Sequence, residues 1–302
     1  MPYISQNKKK KTNRSKKGPE SKRFKGLFLH IIVLLFVSLP LALVLLVPTP
    51  PVKQIERPPF ENFSRAPSTV HKRSPAKPKA RKMPLPLVAI IIDDMGYDYA
   101  IDERFLKLPV PLSFAFLPYG PNTKRLARLA RSKNRDVLVH VPMEPENKML
   151  NPGPGVLTLA MSVDSLIETL EQDIQEVPGA VGVNNHMGSR FTADRKAMKY
   201  VLAILKQKGL FFIDSRTTKN TVAFEMARQM GVPCGERAVF LDHSDNRKLI
   251  EHQVMRLVRL AQRDGSAIGI GHPYVNTYKV LYKMLPIIQK DVAIVPVHRL
   301  VQ

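Results

Sequence analysis

Val88-Ala-Ile-Ile-Ile-Asp-Asp-Met-Gly-Tyr97 is the stretch whose reading decides the fold. Its five consecutive apolar residues, three of them β-branched Ile, predict a strand buried on both faces, the kind a parallel sheet contains. Asp93 and Asp94 stand at its carboxyl end. In sheets and barrels built from β-α units, that end is where ligands bind and chemistry is done. Two adjacent carboxylates repel one another unless a cation or an opposite charge shares their site. They therefore suggest a metal centre or a catalytic pair. The competing use is local: either Asp can cap a following turn, with Gly96 supplying an unusual backbone angle.

Downstream, apolar runs alternate with amphipathic segments. Strands are expected at 87–92, 112–117, 136–141, 180–184, 210–213, 238–241, 267–270 and 292–297. Between them, apolar residues recur with helical spacing, most clearly at Val163, Leu166, Ile167, Leu170 and Ile174 after the N-cap candidate Ser162. Further helices are expected from about Thr123 to Ser132, Asp194 to Lys208, Val222 to Met230, Asn246 to Arg263 and Tyr278 to Gln289. Gly231 and Gly265 close two of them. Strand and helix in alternation argue for a parallel sheet. Residues 87–302 are accordingly expected to form an α/β domain, a distorted (β/α) barrel of seven or eight parallel strands.

Polar residues gather where those strands end. His140, followed by Glu144, ends the third, and Asn184-Asn-His-Met-Gly-Ser-Arg190 ends the fourth. The fifth runs into Asp214-Ser-Arg, the sixth into Asp242-His-Ser, the seventh into Gly271-His-Pro273 and the last into His298. Five of the six histidines in 87–302, all but His252, fall at these ends. Several of these residues also have a structural use: His140 as a core histidine, Asp214 with Ser215 or Asp242 with Ser244 as helix caps, and His298 as part of a terminal strand. His272, between Gly271 and Pro273, has neither a helical nor a capping use.

The first 86 residues have a different composition. The net charge of +22 would suggest nucleic acid, but residues 1–25 hold ten Lys or Arg against Glu20, and residues 48–86 hold nine basic against two acidic groups. What remains for 87–302 is only mildly basic, so no nucleic-acid groove is indicated. Gly26 to Val47 carries no charged residue and is long enough to cross a bilayer as a helix. The basic residues crowd its amino side, which predicts a single-pass anchor with a cytoplasmic tail at 1–25 and the bulk of the chain outside the cytoplasm. The linker at 48–86, with ten prolines among Lys, Arg and Ser, reads as a disordered tether. One cysteine, Cys234, excludes an intramolecular disulfide.

With these residues in hand, the stretch from Leu87 to Gln302 resembles the polysaccharide deacetylases, specifically their divergent branch of envelope-anchored bacterial proteins. The resemblance implies an inner-membrane protein with a periplasmic catalytic domain acting on an N-acetylated envelope polysaccharide. It makes Asp93 the catalytic base and Asp94 a ligand of a divalent, zinc-like ion. The family's two histidines four apart correspond to His140 and Glu144, so His186 is the candidate for the missing ligand. By order along the barrel, Arg190, Asp214 and His272 match the later motifs, His272 as general acid. The Arg-x-Pro context usual around the third motif is absent at Arg190.

Such a set can hydrolyse an acetamide. An ion held by Asp94, His140 and His186 leaves a position for water and lowers its pKa, Asp93 takes a proton, and His272, tuned by Asp214, protonates the leaving amine. Arg190 or the ion would stabilise the oxyanion; Glu144 would be a fourth ligand or a partner of His140. Two other readings stand beside it: a catalytically silent glycan-binding or scaffolding module, and a metal-dependent phosphoesterase.

Overall fold

A computed structural model of the chain describes residues 84–302. The expected tail, anchor and linker up to residue 83 lie outside the described residues. Among those described, no helix is long and apolar enough to cross a membrane.

The chain opens with β1 (Leu87–Met95), α1 (Tyr99–Leu106), β2 (Ser113–Phe116), α2 (Thr123–Ser132) and β3 (Val137–Met143). After a long loop come α3 (Val163–Glu176), β4 (Gly182–Met187), α4 (Arg195–Lys208), β5 (Phe211–Asp214) and α5 (Ala223–Met230). The last part holds β6 (Cys234–Glu236), β7 (Val239–Phe240), α6 (Arg247–Asp264), β8 (Ser266–Gly271), α7 (Val275–Ile288) and β9 (Ala293–Ile294). Helix ends follow local chemistry. Ser162, Asp194 and Asn246 accept hydrogen bonds from first-turn N–H groups of α3, α4 and α6, which have no partner within the helix.

The strands lie in the order β6-β5-β4-β3-β2-β1-β8-β7, all parallel, with β9 beside β1. This is the distorted (β/α) barrel expected, left open between β6 and β7. There the backbones of Cys234 and Gln302 exchange hydrogen bonds of 3.0 and 3.2 Å, and Leu300 and Val301 pack inside. Three details differ from expectation. Helix α1 and the three-residue β6 had no apolar run to announce them. The strand expected at 292–297 is two residues long and turns into a 3-10 segment, Val297–Leu300.

The sheet separates two apolar clusters. Ala89, Ile91, Leu138, Phe211, Ile213, Ile268 and Ile270 fill the inside of the barrel, while Val88, Ile90, Ile92, Val139, Val183 and Phe212 pack under the helices. Side chains alternate faces along a strand, so positions 89, 91 and 93, 138 and 140, 211, 213 and 215, and 268, 270 and 272 form inward series. On β4 the inward series is 182, 184 and 186: a Cβ added to Gly182 would lie 2.3 Å from the Phe211 ring, which leaves room there for glycine alone. Each series is apolar or small at the bottom and polar at the carboxyl rim. Backbone strain concentrates on the same rim. Asp94, Tyr119, Met187 and Arg216, at or just beyond the ends of β1, β2, β4 and β5, all have positive φ, a conformation non-glycine residues seldom hold without a surrounding structure that enforces it.

Candidate active site and metal centre

Asp93 continues the inward series of β1, and Asp94 should by alternation face the helices. It does not, because its φ of 54° and a shift in the pairing of β1 with β2 between Ile92 and Met95 turn it back toward the barrel. Irregularities of this kind re-aim a side chain at the cost of one ladder position. Both carboxylates thereby reach one site, with Asp93 fully buried and Asp94 partly open to solvent.

Three electron-pair donors meet there. Asp94 Oδ1 stands 2.9 Å from His186 Nδ1 and 3.2 Å from His140 Nε2, and the two ring nitrogens are 3.1 Å apart. All three lie within 4.8 Å of one another. Asp94 Oδ1 is buried and makes no well-formed hydrogen bond. On its far side His140 has Nδ1 at 2.8 Å from the Asn184 side-chain oxygen, so in the neutral ring that nitrogen carries the proton and Nε2 presents its lone pair to the cluster. Such a convergence of donors is one that a cation would satisfy, and one carboxylate with two imidazoles suits a first-row divalent ion. The residues fit a metal.

The local electrostatics agree. Burial alone would raise Asp94, but the imidazoles of His140 and His186 outweigh it and hold its carboxyl well below the usual range. Burial opposes charge on His140, and Asp93 and Asp94 together overcome it and raise its pKa. Asp93, 3.6 Å from His140 Nε2 through Oδ2, is pushed up by burial, with His140 and His272 pulling the other way. It accepts a 2.8 Å hydrogen bond from Asn184 Nδ2.

His272 ends the inward series of β8. Its Nδ1 lies 2.8 Å from Asp242 Oδ1, and its backbone N–H donates to Asp242 Oδ2 at 2.6 Å. Thr277 donates to that same Oδ2 at 2.7 Å. The imidazole is stacked between Phe240 and Tyr274, with ring centroids 6.1 and 5.6 Å away. Burial disfavours its charged form, but the hydrogen bond and charge of Asp242, with Asp93 and Asp94 behind, raise its pKa to about 9. His272 is therefore protonated at neutral pH and electrostatically coupled to both members of the Asp pair.

Other expected site residues are placed elsewhere. Asp214 follows the inward Ile213, so alternation turns it out of the barrel. Its Oδ1 accepts from the Arg216 N–H at 2.7 Å and its Oδ2 from the Thr221 hydroxyl and the Phe224 N–H, which ties down the loop into α5. Its expected partnership with His272 belongs to Asp242, a residue whose capping alternative looked equally good in the sequence. Arg190, two residues beyond the bend at Gly188, pairs with Glu144, and among the described residues it makes no ion pair with Asp93 or Asp94. Glu144 also accepts from the Leu159 N–H at 2.7 Å. It joins three loops and is not among the clustered ligands; the partner of His140 is Asn184. His298 binds Asp136 at the amino end of β3, on the opposite rim, while His243 and His252 are exposed.

Comparison with known proteins agrees with this architecture. The model of the divergent polysaccharide deacetylase family matches residues 90–301. The chain belongs to that family. It is 38% identical over 208 residues to the Escherichia coli K12 protein YibQ, a match spanning 69% of this chain and 65% of that protein. An uncharacterized Haemophilus influenzae protein is 37% identical over 208 residues, 69% of this chain and 74% of its own. The crystal structure of an uncharacterized Agrobacterium tumefaciens C58 protein superimposes with a TM-score of 0.69 at 25% identity, covering 72% of this chain and 90% of that one.

Proposed function

We propose that the protein is a metal-dependent hydrolase that removes N-acetyl groups from a cell-envelope polysaccharide. The observation that carries the reading is the convergence of Asp94 Oδ1, His140 Nε2 and His186 Nδ1 beside the buried Asp93. Those three residues would hold a divalent ion, zinc by the chemistry of the set. When bound, the ion supplies Lewis acidity, lowering the pKa of water and polarising an acetamide carbonyl. Asp93, a carboxylate raised by burial, accepts the proton lost by water as that oxygen bonds to the carbonyl carbon. A base with its pKa moved toward working pH does this better than an ordinary Asp. His272, protonated below about 9, gives its proton to the nitrogen as the carbon–nitrogen bond breaks. The products are acetate and a free sugar amine. Asp242 stabilises the imidazolium before transfer and fixes the ring's direction.

The uncharged run at 26–47 and the basic tail before it support an inner-membrane anchor with the catalytic domain in the periplasm, where an envelope glycan is the accessible polymer. The test is acetate release by the zinc-supplied full-length chain from N-acetylglucosamine oligomers and from N-acetylated cell-wall glycan, next to Asp93→Asn and His272→Ala. Activity reduced about 10²- to 10⁴-fold in each variant is expected. Phosphate release from a phosphoester without any acetate release, or equal acetate release by wild type and both variants, would sink the reading.

A further inference from the structure

Asn184 lies in the inward series of β4, fully buried, one strand over from His140 and across the barrel from Asp93. Its side-chain amide touches both. Nδ2 donates to Asp93 Oδ1 at 2.8 Å and reaches the Ser215 hydroxyl at 3.3 Å, while Oδ1 faces His140 Nδ1 at 2.8 Å. The direction of the amide is not free. Its nitrogen has two hydrogens, the Asp93 carboxylate beside it can only accept and the Ser215 hydroxyl is able to accept, so a flipped amide would set oxygen against the Asp93 carboxylate and leave an N–H pointing at His140. With the nitrogen held toward Asp93, the oxygen must face His140, and in the neutral ring, the form that can hold a cation, the proton must sit on Nδ1. Nε2, the atom 3.2 Å from Asp94, is thereby kept clear for a cation.

We infer that Asn184 is a positioning residue that locks the base Asp93 and the ligand His140 into one arrangement, through a single amide read in opposite senses at its two ends. Its value for catalysis rests on the metal-dependent reading above, whereas its geometry does not. Ser215 has a part in the same device, since its N–H is anchored 2.9 Å from Asn185 Oδ1, and the adjacent residue of β4 so holds the hydroxyl that steadies the amide. Removal of Asn184 frees Nδ1, and the best remaining acceptor for a ring proton is Asp94 Oδ1 on the Nε2 side. The proton would then occupy the atom meant for the ion.

The test uses the full-length chain labelled with ¹⁵N-histidine, with Asn184→Ala and Asn184→Asp. Asn184→Asp keeps an acceptor toward His140 and loses the donor toward Asp93. In the metal-free wild type and in Asn184→Asp, the His140 Nδ1–H resonance should be downfield and protected from exchange; in Asn184→Ala it should move upfield and exchange freely. Zinc affinity should fall about 10- to 100-fold in Asn184→Ala, the usual cost of removing a partner behind a metal ligand, and stay within about threefold in Asn184→Asp. Should Asn184→Ala fail to fold, Asn184→Asp decides, and loss of its protected proton overturns the inference. A folded Asn184→Ala that keeps the same protected proton and the same zinc affinity overturns it too. If no form binds zinc while the proton signature still depends on Asn184 as described, the metal reading fails and the positioning role of Asn184 stands.

Discussion

Asp242 Oδ1 lies 2.8 Å from His272 Nδ1, and its second oxygen binds the His272 backbone N–H and the Thr277 hydroxyl, so one carboxylate fixes both the ring and the chain that carries it. Replacement by Asn keeps the volume and removes the charge. Asp242→Asn should lower the His272 pKa from about 9 toward its ordinary value and reduce kcat by about 10²-fold or more, the scale of a misplaced general acid. Histidine NMR titration gives the first number and acetate release the second. An unmoved His272 pKa would show that Asp242 is not its main partner.

The raised pKa of His272 links its charge to stability. A group protonated more tightly in the folded than in the unfolded chain stabilises fully below the unfolded pKa, here 6.5, and that contribution is lost as pH climbs through about 9. In the metal-free chain the loss should approach about 3 kcal/mol across that window, at about 1.36 kcal/mol per unit. Urea unfolding at pH 6 and pH 9.5 measures it, and His272→Gln should flatten this part of the profile.

A second buried acid acts over a lower window. Asp173 of α3 is fully buried, with neither oxygen in a well-formed hydrogen bond although the Tyr119 hydroxyl is close by. Burial raises its pKa to about 8. The unfolded chain releases this proton near 3.8 and the folded chain near 8, so stability is lost steadily between those values. Asp173→Asn should stabilise the protein at pH 8 by at most the integrated shift, about 5 kcal/mol at about 1.36 kcal/mol per unit, and change little at pH 3.5. Equal melting shifts at both pH values would contradict the assignment.

Arg190 tests where the catalytic machinery stops. Its side chain is 43% exposed and bound to Glu144, and a solvent-accessible pair of this kind is worth about 0–1 kcal/mol. Arg190→Ala should reduce kcat less than about fivefold, with any effect falling on the loop that Glu144 gathers. A loss of about 100-fold or more at unchanged KM would return Arg190 to the catalytic set.

The fold and half of the site are legible in the sequence for one reason: parity. A buried parallel strand advertises itself as an apolar run, and the polar residue at its carboxyl end is noticed because it breaks that run, as Asp93 does after Ile91 and His272 after Ile270. Asp214 breaks a run as well, yet stands one position out of phase with Ile213, and order along the chain carries no information about which face a residue takes. Asp242 is in phase with Phe240, a signal available in the sequence but hidden by the capping look of Asp-His-Ser. Asn184 shares the phase of His186 and escapes notice because a neutral amide has no titration to suggest chemistry. Asp94 could not be read at all from alternation, since a left-handed residue and a register shift bring it inward. Helix α1 is about two turns long, with only Ile101, Phe105 and Leu106 to mark its buried face, and strand β6 is held by backbone pairing with too few residues to show a period.

The most direct test of the central claim is a zinc titration of the full-length chain and of Asp94→Ala, both confirmed folded by thermal unfolding. The account predicts about one equivalent bound by the wild type, the stoichiometry of a site with three protein ligands, and an affinity reduced at least about 100-fold in the variant. A folded wild-type chain that takes up no zinc, or a variant that binds it as tightly, would contradict the metal centre formed by Asp94, His140 and His186.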